Sequence, residues 1–328
     1  MWSRRSFLLS SLAMMACGGR LQTFPFSTGF GVSGEGVYVR FIGVGCFLVQ
    51  YSGIGILTDP YWSHLPLGKV AFGTIAPDPK QIEPHLPRLD QVHAVLVGHG
   101  HYDHVLDLPY IVSQLHAEAT IVGSQTVKHT FAPMHLPRTW SVMNDRAATP
   151  DHAGAPLWLA DRRVRIHAIR SEHPQQYMGF HLFKRALTQD RTEPPTRVRH
   201  YQEGMTFAYL VDWMTASGDV DKRVYIQTSS TGYPAGFFPK SLLAEHPVDV
   251  ALLPMDCANL KMKGRSTIIE FLNAKRVVFC HWEDFFRPKT KPPHEIVKVN
   301  LPKLRESIHF RDRQRYFFPI WDSEYHFK

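Results

Sequence analysis

The chain has 328 residues, 44% hydrophobic and 20% charged, with 37 Lys and Arg against 29 Asp and Glu. That balance excludes a disordered, collagen-like or multi-span membrane chain, and the length fits one large domain or two small ones. A net charge of +8 favours anionic partners, four cysteines are too few for a disulfide scaffold, and 19 histidines are an unusual surplus.

Residues 3–9 read Ser-Arg-Arg-Ser-Phe-Leu-Leu and lead into an apolar run, Phe7–Ala16, too short to span a bilayer. A basic segment ahead of a short apolar one has the proportions of an export signal, and the pair Arg4-Arg5 resembles the twin-arginine class. Leu12-Ala13-Met14-Met15-Ala16-Cys17 resembles a lipoprotein processing site. Residues 1–17 are therefore expected to be an export signal handled by the twin-arginine machinery, with Cys17 as a potential lipid anchor and 18–36 as a linker. The mature protein is expected in the periplasm or tethered to the outer side of the inner membrane. Removing residues 1–16 takes away Arg4 and Arg5 and leaves a net charge of +6.

From Val37 to the C-terminus there is no repeat and no obvious linker, so 37–328 is read as one domain. Apolar, β-branched runs predict strands within 37–51, 55–58, 94–97, 120–122, 163–169, 205–212, 224–228, 248–253 and 277–280. Asp107 followed by Pro109 predicts a capped helix reaching about His116, and Ser266–Asn273 predicts another. Strands interleaved with helices predict a layered α/β protein. The segment 173–204 is irregular and carries five basic residues against three acidic ones; it reads as a solvated insertion or a lid.

The strongest signal is His99-Gly100-His101-Tyr102-Asp103-His104, directly after the strand Ala94-Val95-Leu96-Val97. On extended chain, residues two apart point the same way, so His99 and His101 can converge on one ion. The turn that follows re-aims Asp103 and His104 at a neighbouring point. Imidazole with carboxylate suits zinc, with manganese or iron as alternatives.

This run resembles the hallmark of the metallo-β-lactamase superfamily, and the resemblance extends from about Val37 to the C-terminus. Within it, the chain is most similar to the branch that contains N-acyl-phosphatidylethanolamine phospholipase D and the ascorbate-phosphate lactonases. Ile56-Leu57-Thr58-Asp59-Pro60, Leu86-Pro87 through His104, Arg170-Ser171-Glu172-His173 and Cys280-His281-Trp282-Glu283-Asp284-Phe285 carry the likeness. It implies an αββα sandwich holding two zinc ions: one on His99, His101 and His173, the other on Asp103, His104 and His281, with Asp59 behind the ligands. Asp103 would also orient the attacking water. His181 is the rival to His173. Cys280 is expected to face the core, away from the metals.

Two departures qualify that pattern. Ser230, in Thr228-Ser229-Ser230-Thr231-Gly232, stands where the superfamily has a bridging aspartate, so the second ion should bind more weakly or be absent; Asp256 is a candidate replacement donor. Gly43-Val44-Gly45-Cys46 replaces a turn that usually carries His and a hydroxyl, which bears on substrate preference. The function implied is an exported metal-dependent hydrolase acting by metal-activated water on a phosphodiester or phospholipid. The alternatives are lactone or β-lactam hydrolysis, and a non-catalytic metal or lipid binder built on this fold. No nucleic-acid partner is expected, since no RNA-binding motif is recognisable.

Overall fold

A computed structural model describes residues 36–175, 181–255, 266–296 and 314–328. The export segment, Cys17, Asp256 and Cys257 lie outside the described residues. The apolar run at 37–51 folds as two strands, β1 (Val37–Gly43) and β2 (Cys46–Tyr51), joined by a tight turn at Val44-Gly45. With β3 (Ile54–Thr58), β4 (Val92–Leu96), β5 (Thr120–Gly123), β6 (Thr139–Val142) and the returning β14 (Glu324–Phe327), they form one seven-stranded sheet in the order β14-β1-β2-β3-β4-β5-β6. The second sheet contains β7 (Leu157–Leu159), β8 (Val164–Ser171), β9 (Thr206–Met214), β10 (Val220–Gln227), β11 (Val250–Pro254), β12 (Arg276–Cys280) and β13 (Tyr316–Phe317). These strands lie side by side in chain order.

Both sheets are mixed in the same way. Reading from β14 to β6, or from β7 to β13, three antiparallel pairings are followed by three parallel ones. The two halves share one topology although no sequence repeat is visible.

Three apolar layers follow from the patterning. Val39, Phe41, Ile56 and Leu96 of the first sheet meet Ile166, Val211, Val224 and Leu252 of the second in a dry central layer. The outer face of the first sheet is covered by α1 (Leu67–Phe72), α2 (Pro79–Ile82), α3 (Tyr102–Val105), α4 (Leu108–Ile111) and α5 (Gln125–Phe131) through Val70, Ile82, Val105, Ile111 and Phe131. That of the second is covered by α6 (Lys240–Glu245) and α7 (Ile268–Leu272) through Leu242, Ile268 and Leu272. Helix, sheet, sheet, helix is the αββα sandwich that the resemblance implies. Cys280 is buried in the central layer, as strand alternation predicts.

Two local expectations are refined. Asp107 precedes α4, but its side chain does not cap the helix; it accepts from the Ser63 amide at 2.8 Å and from the Trp62 amide, bracing the segment after β3. Thr267 and Glu270 form a reciprocal capping box on α7, which shortens the predicted 266–273 helix to Ile268–Leu272. Residues 181–204 are irregular and largely exposed, as a solvated insertion would be, but they are tied to the body of the domain. The Leu187 amide donates to Thr126 Oγ1 of α5 (3.1 Å), and Ile75 donates to the Thr196 carbonyl (2.9 Å).

Candidate metal centre

The carboxyl ends of three strands, β4, β8 and β12, bring the predicted residues together. His99 follows β4, His173 follows β8 and His281 follows β12. The two sheets approach so closely here that a Cβ on Gly98 would fall 2.5 Å from Thr228 Oγ1. The next glycine is fixed from the insertion side, since the Gly100 amide donates to the Glu203 carbonyl at 2.9 Å.

Two groups of three donors result. One ligand atom from each of His99, His101 and His173 lies within 4.8 Å of the other two, and the same holds for Asp103, His104 and His281. The first group is nearly equilateral: ring centroids are 4.6 Å apart for His99–His101, and 4.7 Å for both His99–His173 and His101–His173. His99 Nε2 faces His101 Nδ1 at 2.9 Å. In the second group Asp103 Oδ2 lies 3.6 Å from His104 Nε2 and 3.8 Å from His281 Nε2. The groups adjoin, with the His99 and His104 rings 4.0 Å apart. His181 lies outside both; of the two rivals, His173 is the one that joins His99 and His101.

The surroundings suit cation ligation. His173 Nδ1 donates to the Pro174 carbonyl (2.7 Å) and His104 Nδ1 to Asp59 Oδ2 (2.8 Å), which leaves Nε2 of each ring as an acceptor. Asp59, at the end of β3, is itself pinned by the Gly98 amide at 2.7 Å. His104 Nε2 is buried with no hydrogen-bond partner among the described residues, an orphan that a cation would satisfy. Burial, reinforced by neighbouring imidazoles, holds His99 and His173 well below the usual histidine pKa. Burial lowers His101 to about 4 and His281 to about 3, a direction that favours the neutral imidazole a metal ligand needs. His104 is the exception: burial lowers its pKa, but the Asp59 and Asp103 carboxylates outweigh it and raise the net value.

A family model described as the β-lactamase superfamily domain matches residues 55–282, more than two thirds of the chain. The chain belongs to the metallo-β-lactamase superfamily. Its fold is similar to that of a metallo hydrolase from the archaeon Ignicoccus hospitalis (16% identical, TM-score 0.50, 89% of this chain and 99% of that one). It is also similar to a possible metal-dependent hydrolase from Veillonella parvula (12%, 0.50, 89% and 100%). An isothiocyanate hydrolase from Delia radicum gut bacteria is a third (14%, 0.51, 88% and 99%). An uncharacterized protein of Mycobacterium tuberculosis is 33% identical over 122 residues, which span 34% of this chain and 28% of that relative.

A cavity of about 780 Å³ lies beside the first cluster, with His173 in its wall. Ser230 lies in the same wall, and its Oγ accepts from the Gly232 amide at 3.3 Å. Ser230 thus offers a neutral hydroxyl at the cavity wall. The insertion contributes His181, Lys184 and Glu203 to this wall, of which only His181 had been singled out as a candidate site residue. Burial raises the Glu203 carboxyl to about 7.

Proposed function

We propose that this protein is a metal-dependent hydrolase acting on a phosphodiester or phospholipid-type substrate. Two adjacent three-donor clusters, the first with His173 in the wall of a cavity, carry the reading. His99, His101 and His173 would hold one divalent ion, and Asp103, His104 and His281 a second, zinc being favoured by five imidazoles and one carboxylate. Such a pair supplies, when bound, a nucleophilic water of pKa about 7 and a Lewis acid for the developing negative charge.

The chain's own residues do the positioning. Asp59 fixes the tautomer and plane of His104, and the Pro174 carbonyl does the same for His173. Asp103 places a carboxylate between the His104 and His281 rings, within reach of a proton on an attacking water. Arg170, His181 and Lys184 line the cavity and would face the anionic oxygens of a phosphodiester, while Ser230 and Thr231 offer hydroxyl donors. Three structural neighbours described as hydrolases support the reaction class.

Activity is tested by presenting zinc- or manganese-loaded protein with a chromogenic phosphodiester, a lactone and a cephalosporin. Phosphodiester turnover is expected; turnover of the lactone or lactam alone replaces the substrate assignment. His101→Ala is expected to lower both metal content and rate, and a native protein that takes up no metal refutes the reading.

We also infer export to the periplasm through the twin-arginine machinery, with Cys17 as a lipid-anchor point. Replacing Arg4 and Arg5 by lysine is expected to retain the protein in the cytoplasm, which fractionation reads directly.

A further inference from the structure

The turn Gly43-Val44-Gly45 touches both sides of the second cluster without contributing a ligand. On one side the His281 amide donates to the Val44 carbonyl at 3.0 Å. On the other, a Cβ on Gly45 would lie 2.8 Å from Asp59 Oδ2, the atom that accepts from His104. The turn is thus wedged between the backbone of one ligand and the hydrogen-bond partner of another.

A single buried carboxylate holds that wedge. Glu283 is fully buried; its Oε1 accepts from the Val44 amide, and its Oε2 accepts from the Trp282 amide at 3.2 Å. The Val44 residue is therefore gripped at both its N–H and its C=O by the segment 281–283. A buried carboxylate is costly unless its acceptors are used, and here they are spent on this one junction. The nearby Lys289 is buried as well, and its Nζ has no hydrogen-bond partner among the described residues.

The grip is needed because the backbone on both sides is strained. Val44 and His281 both have φ of 55°, in the left-handed region that a β-branched residue almost never adopts. Gly43, at φ 147°, leaves no room to relax: a Cβ there would lie 2.7 Å from His64 Nε2 and 3.5 Å from Glu283 Oε1.

We propose that Glu283 is a positioning residue that clamps the Gly43-Val44-Gly45 turn against the His281 strand end and thereby sets the occupancy of the Asp103–His104–His281 cluster. This rests on the reading of that cluster as a metal site. In the absence of a bridging carboxylate at Ser230, a rigid frame around the second ion replaces part of the attraction that a further negative charge would give.

The test is zinc titration of the purified, metal-stripped protein against a chromogenic chelator, with stoichiometry from elemental analysis. Wild type is expected to take two ions. Glu283→Ala is expected to keep the first and bind the second roughly 10- to 100-fold more weakly, the usual range for loss of a residue supporting a metal ligand. Glu283→Gln keeps the shape and one acceptor but sets an amide N–H against the Trp282 N–H, so an intermediate loss is expected. It also decides the matter if the alanine variant does not fold. Asp249→Asn disturbs a buried carboxylate that binds Lys275 and the Arg223 amide, and is expected to lower stability while sparing both ions. Unchanged second-ion affinity in a folded Glu283 variant, or equal weakening of both ions, overturns the clamp alone. A wild type that takes up no ion overturns the metal reading itself.

Discussion

At the scale of single residues, the centre depends as much on what stands behind each imidazole as on the imidazoles. Asp59 is the clearest case, because it faces His104 with one oxygen and the Gly98 amide with the other. Its φ of 36° is itself unfavourable for a residue with a side chain, and its two hydrogen bonds hold it there. Asp59→Ala is expected to free the His104 ring and weaken the second ion by roughly 10- to 100-fold. Competition titration with zinc checks this, and an Asp59→Ala protein of wild-type affinity would remove Asp59 from the account. The ligand candidates were legible because four fall within six residues after a strand. Glu283, Lys184 and Glu203 were not, since their relation to the site is purely tertiary and no spacing rule links them to it.

At the scale of elements, the close approach of the β4 and β10 ends is what brings the histidine loop to the second sheet. Gly98 permits it: an added Cβ would lie 2.5 Å from Thr228 Oγ1 and 3.2 Å from Asp59 Oδ2. Gly98→Ala is expected to cost about 1–3 kcal/mol by overpacking, seen as a lower urea midpoint. Thr228→Ala in the same protein removes the clashing atoms and should recover part of the loss. A double variant no more stable than the single one would place the strain elsewhere. All nine predicted strand runs contain strands, whereas β6, β7, β13 and β14 were missed. Those four are the edges of the two sheets. An edge strand is covered less completely: β6 and β14 mix polar with apolar residues, and β7 and β13, though apolar, are only three and two residues long, too short to read as strands.

At the scale of the whole molecule, β4 of the first sheet and β8 and β12 of the second end at one rim, so the candidate centre draws its donors from both halves. That arrangement also explains why the described chain must return to its own beginning. The β14 strand pairs antiparallel with β1, Val37 opposite Phe327 and Val39 opposite Tyr325, and closes the edge of the first sheet. Tyr325 and Phe327 are 5% and 7% exposed and pack with Phe317 over the end of the central layer. Asp322, just ahead, accepts from Arg40 at 3.2 Å and lies 2.6 Å from His85 Nδ1. Burying one large aromatic is worth about 1.5–3 kcal/mol, so truncation after Ile320 should cost about 3–6 kcal/mol from the two rings alone. It should also bare the β1 edge to pairing with other chains. Chemical denaturation and light scattering read the two effects separately. A truncated protein with an unchanged midpoint would mean that β14 covers the sheet without stabilising it, and that β1 is held by β2 and the central layer alone.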